Sequence, residues 1–63
     1  MVDEPLIPLD SIFKDPSGVL WTVSGVTFTG GERYYFLIDD GSGAVALFPA
    51  LVVNQWEEVR SNG

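Results

Sequence analysis

From residue 19 to residue 29 the chain reads Val-Leu-Trp-Thr-Val-Ser-Gly-Val-Thr-Phe-Thr. β-branched and aromatic residues dominate this run, which favours an extended strand over a helix. A second such run covers residues 33–39. Its centre, Tyr34-Tyr35-Phe36-Leu37-Ile38, is apolar at every position, so both faces of that strand carry apolar side chains. Shorter runs at residues 11–14 and 44–48 add two more strands. The breaks between them carry turn chemistry. Asp15-Pro16-Ser17-Gly18 suits a type I turn, with Pro at its second position and Gly at its fourth. Thr29-Gly30-Gly31-Glu32 suits a tight hairpin, where Gly-Gly accepts positive φ. Asp40-Gly41-Ser42-Gly43 makes the next turn. Gly25, inside the longest strand, predicts a bulge, a bend or a close backbone approach.

After Pro49 the pattern allows two solutions. Leu51, Val52, Gln55, Trp56 and Val59 lie near one face of a helix, with Pro49 at its start. The β-branched pair Val52-Val53 favours the other solution, a short 3₁₀ turn followed by a last strand at residues 56–59. Residues 1–10 carry Pro5 and Pro8 and read as an extended N-terminal tail or edge segment, its apolar Leu6, Ile7 and Leu9 covering an edge of the sheet. Residues 11–63 then form a single domain. Five strands, tight turns and no long helix predict an all-β, antiparallel five-stranded barrel, since a flat sheet of this size leaves its edges open.

Composition narrows the chemistry. The 63 residues include no cysteine and no histidine, which excludes disulfides, Cys/His zinc sites and Ser/His/Asp or Cys/His nucleophile systems. An enzyme is not expected, and neither a cofactor nor a metal is called for. Nine acidic residues face three basic ones, a net charge of −6. Such a chain cannot displace counterions from phosphates, so direct binding to nucleic acid or to an anionic membrane surface is not expected. No apolar run approaches the ~20 residues of a membrane span. The acidic, proline-broken start does not read as a signal peptide, and a cytoplasmic setting follows. Asp39-Asp40-Gly41-Ser42-Gly43 is the one loop with ligand-like carboxylates, and it reads as a plain hairpin turn. Glu57-Glu58 and Asp3-Glu4 read as solvated edge charges, because neighbours on a strand point to opposite faces.

The order of parts resembles an SH3-like barrel: strand, longer turn, three hairpin-linked strands, a 3₁₀ turn and a short last strand. Ala46-Leu47-Phe48-Pro49 resembles the Leu-Phe-Pro or Leu-Ile-Pro stretch that ends the fourth strand of SH3 domains. Where those domains carry an Ala-Leu-Tyr-Asp-Tyr segment, a tandem Trp pair and a tyrosine after the proline, this chain has Ser11-Ile12-Phe13-Lys14, Arg33-Tyr34-Tyr35 and Val52. The aromatic walls of a polyproline groove are thus replaced. Ser17-Gly18-Val19-Leu20-Trp21 and Val45-Ala46-Leu47-Phe48-Pro49 also resemble two stretches of the plasmid-borne, trimethoprim-resistant dihydrofolate reductases, which are oligomeric SH3-like barrels. The pore glutamine and tyrosine of those enzymes match Ala46 and Phe48, so that resemblance implies a shared scaffold and a possible homo-oligomer, not shared catalysis.

The eight aromatic residues exceed what so small a barrel can enclose. If Val45 and Leu47 are inside, Ala44, Ala46 and Phe48 lie outside; Trp21, Tyr34, Tyr35, Phe48 and Trp56 are the candidate protein-binding residues. The expected function is a small, acidic, non-catalytic protein–protein interaction module, its partner another protein or a second copy. Two other readings stand beside it. One is a phage or mobile-element inhibitor that mimics nucleic-acid charge, which needs Asp3, Glu4, Asp39, Asp40, Glu57 and Glu58 on one face. The other is an oligomeric barrel with a ligand site at its pore.

Overall fold

A computed structural model describes residues 6–60. Five strands form one antiparallel sheet: β1 (Ile12–Lys14), β2 (Leu20–Thr29), β3 (Glu32–Asp39), β4 (Val45–Pro49) and β5 (Glu57–Arg60). A single helical turn, α1 (Ala50–Val53), joins β4 to β5. The strand order is β4-β3-β2-β1-β5, so the last two strands occupy opposite edges. Each strand lies within about one residue of its expected span. Among the described residues no helix is long and apolar enough to cross a membrane.

The turns follow the residues that build them. Gly30 and Gly31 both hold positive φ, +58° and +80°, the backbone a tight I′-type hairpin demands, and Thr29 faces Glu32 across it. In β2 the register slips between Val23 and Gly25. Ser24 is the extra residue of the expected bulge, and its hydroxyl donates to the Phe36 carbonyl at 3.2 Å. A bulge bends its strand and adds twist. Side chains on either side of it stay in phase with the inner face.

That inner face holds the core. Phe13, Val23, Tyr35 and Leu37 are buried there, with Ala50 and Val53 of α1 laid over them. Ile7 packs against the same cluster. Ile7 therefore lies against the inner face, on the side of β5. Leu6 and Leu9 stay 55% and 54% exposed; the part of the expected tail before residue 6 lies outside the described residues. Near the tip of the β2–β3 hairpin the Arg33 guanidinium sits 5.6 Å from the centre of the exposed Phe28 ring.

Three expectations are corrected. Among the described residues β4 pairs only with β3 and β5 only with β1, so hydrogen bonds do not close the sheet into a barrel. The chain between them is taken up by α1, and Pro49 at the end of β4 has no N–H to give. The turn after Pro49 is α-helical and not 3₁₀: the Asn54 N–H donates to the Ala50 carbonyl at 2.9 Å. Ala50 and Val53, three residues apart on that turn, fall on one side of it and are both buried. Only its exit tightens, with Gln55 and Trp56 donating to Val52 and Val53. Finally, Val45 and Leu47 are not inside. They point outward, and Ala46 and Phe48 take the inner positions.

Candidate functional site

Two regions gather the aromatic and aliphatic side chains that sequence alone leaves unplaced. The first is a cluster of three rings at one end of the core. Trp21 comes from the start of β2, Phe48 from β4, and Trp56 from the residue before β5. Phe48 stands edge-on to Trp21 at 5.4 Å and to Trp56 at 5.0 Å, while the two indoles lie 6.5 Å apart and 28° from parallel. Such pairs each add about 1 kcal/mol beyond the area they bury. The rings thereby link the end of β4 to the start of β5, a closure the backbone does not make. All three are half-buried.

Asp15 fixes this cluster from below. Its carboxylate accepts from the Trp21 indole N–H at 3.0 Å, and also from the Ser17 hydroxyl and the Ser17 and Val19 amides. The Trp21 bond first, then the Ser17 hydroxyl, hold its pKa down to about 2, against a smaller opposing effect of desolvation.

Tyr35 does not belong to any surface. It is 1% exposed, and its hydroxyl accepts from the Ile7 N–H at 3.1 Å. This corrects its assignment as an exposed aromatic: the ring is the largest side chain of the core, and its polar end meets a backbone donor, as a buried hydroxyl must. Tyr34, one residue earlier, lies half-buried on the opposite face.

The second region is that opposite, outer face of β2, β3 and β4. The register places Tyr34 between Thr27 and Pro49, Phe36 between Gly25 and Leu47, and Ile38 between Thr22 and Val45. None of these nine residues is charged. Phe36, Val45 and Leu47 are 38%, 64% and 47% exposed. Phe36 leans over Gly25, where a Cβ would lie 3.4 Å from its Cδ2. Sequence reasoning missed Phe36, Val45 and Leu47. The available signal was Phe48: in a strand of four apolar residues before a proline, the largest ring sets which alternate positions face the core.

Four acidic residues gather at one end of the sheet. Asp39, Trp21, Phe13 and Glu58 are successive partners across four strands, and Lys14 faces Glu57 in the next row. Asp39, Asp40, Glu57 and Glu58 therefore share one end of the sheet but stand on separate strands, β3 and its turn against β5. Asp39 caps its own turn by accepting from the Gly41 and Ser42 amides, and Asp40 accepts from the Thr22 hydroxyl at 2.6 Å. Asp3 and Glu4 lie outside the described residues. A groove of about 570 Å³ runs between residues 6–8 and Trp56, floored by Phe13 and rimmed by Glu58. No family model, curated protein or solved structure matches this chain.

Proposed function

We propose that this chain is a small, acidic, non-catalytic association module, built on an SH3-like arrangement of strands, that engages another protein or a copy of itself. The observation that carries the reading is the uncharged central patch of the outer face, where Phe36, Val45 and Leu47 stay exposed beside one another on a chain of net charge −6. Contiguous exposed apolar surface on a small protein marks a place of contact, whereas single exposed residues need no explanation. The order of strands, with a helical turn before the last, supports the SH3-like likeness. The absence of histidine and cysteine supports a role without covalent chemistry, and the negative field steers nucleic acid away.

The surface is thus moved from the set Trp21, Tyr35, Phe48 and Trp56 to the outer face, with Tyr34 kept. The test is affinity capture from the native host with the full chain as bait, and with Phe36→Ser and Val59→Ser baits beside it. Val59 is exposed on β5, at the other edge. Near-UV circular dichroism verifies that each bait is folded. Capture lost with Phe36→Ser and kept with Val59→Ser supports the reading. Equal capture by all three baits sinks it.

A further inference from the structure

The two edges of the sheet are built differently. β5 ends the sheet with Glu57, Glu58 and Arg60, all exposed. Charged side chains on an edge keep other strands from adding to it. β4 ends the sheet with Val45-Ala46-Leu47-Phe48-Pro49 and carries no charge. Its outward backbone can be named. The Asp39 N–H donates to the Ala44 carbonyl at 2.8 Å, and the register continues through Ile38 with Val45 and Leu37 with Ala46. Hydrogen-bonding residues alternate along an antiparallel pair. Ala44, Ala46 and Phe48 therefore bond to β3, while Val45 and Leu47 direct both N–H and C=O away from the sheet. Among the described residues no strand meets them.

We infer that β4 pairs antiparallel with β4 of a second copy, across a twofold axis at Ala46. This rests on the association reading above and names its partner. Three arguments select a second copy in that register. An axis at Ala46 sets Val45 of one chain opposite Leu47 of the other, so every outward N–H and C=O of both residues is used. An axis at Leu47 sets Val45 opposite Pro49, which has no N–H, and leaves the Val45 carbonyl unpaired. The third argument is charge. Two chains of −6 each can approach only where carboxylates do not face each other. Neither β4 nor the β3 residues that face it from the outer side, Tyr34, Phe36 and Ile38, carries one; Glu32 and Asp40 stand only at the two ends of that patch, and the antiparallel arrangement sends the two Asp39–Asp40 turns to opposite ends of the joint. Twofold pairing also closes on itself, so assembly stops at two.

Sedimentation equilibrium of the full chain reads the state directly. A reversible dimer is expected, tighter in high salt, because screening removes repulsion between like-charged copies. Leu47→Lys is expected to be monomeric. Leu47→Pro removes only an outward donor, as a proline on an edge can, and is also expected to be monomeric; if it does not fold, Leu47→Lys decides. The chain has no native cysteine, so single cysteines report the register. Ala46→Cys is expected to oxidise to a disulfide-linked dimer, since residues opposed at a non-hydrogen-bonded position approach within disulfide reach. Leu47→Cys is not. A wild-type chain that stays monomeric up to about 1 mM in high salt overturns the pairing. So does a dimer that survives Leu47→Lys, or one that crosslinks through Leu47→Cys and not Ala46→Cys. A strict monomer whose capture of another protein is still lost with Phe36→Ser removes only the second copy as partner. The association surface itself falls only if that capture persists.

Discussion

Tyr35 and Leu37 are almost fully buried, while Phe36 between them is 38% exposed. The two sides of β3 have the same apolar character and the same neighbours in the sheet. What separates them is cover: the inner side lies under α1 and the segment around Ile7, and nothing among the described residues lies over the outer side. Hydropathy made both faces candidates for burial. Only one is covered among the described residues. Five strands and the turns between them take up most of residues 6–60, and one helical turn and a short strap are the described parts that lie across the sheet.

The contrast can be broken by substitution. Leu37→Ala should produce the largest effect, a loss of about 2–5 kcal/mol in urea unfolding, because it empties a site with no exposed surface. A loss below about 1 kcal/mol would mean that the inner face is not the core. Tyr35→Phe keeps the ring but strips the Ile7 amide of its acceptor. It should cost about 1–2 kcal/mol, and amide exchange at Ile7 should accelerate; unchanged exchange would deny the strap its anchor. Asp15→Asn should weaken the rim of the core and flatten its acid dependence. The folded carboxyl titrates near 2, below its ordinary 3.8. The folded state thus binds fewer protons than the unfolded one between those values, and stability falls as pH drops from about 4 to about 2. That slope should diminish in Asp15→Asn; an unaltered acid transition would assign it to other carboxylates. Smallest of all, Val45→Thr on the outer face should shift stability by no more than about 0.5 kcal/mol. A larger loss would show that something covers this face.

The same two faces explain what could be read in advance. Strand positions were legible because Gly30-Gly31, Asp15-Pro16-Ser17-Gly18 and Gly25 each impose a backbone shape that few other residues tolerate. The strand after Pro49 was legible from Val52-Val53. Phase was not. Alternation has a period of two, and a run such as Tyr34 to Ile38, apolar throughout, supplies the period without saying which set turns inward. A phase that puts Tyr35 outside, or Val45 and Leu47 inside, is therefore as compatible with the sequence as the true one, and it is one residue out. Closure was not legible either, because whether β4 reaches β5 depends on where α1 settles, and that is decided by the fit of Ala50 and Val53 into the core. The three rings Trp21, Phe48 and Trp56 could be picked out as a set, but not as a set that spends its surface on itself.

Those rings have one more consequence. The chain has two tryptophans, and both stand in this cluster, their planes 28° apart. All of its indole fluorescence therefore arises from a single spot, where β2, the last inward residue of β4 and the lead-in to β5 meet. Indoles this near each other exchange excitation, and a Phe48 ring held edge-on between them shapes the light they emit. Anything that pries β4 away, or locks it in place, is announced there as a change of colour, with no label added. The molecule carries its own strain gauge at the seam its backbone leaves open.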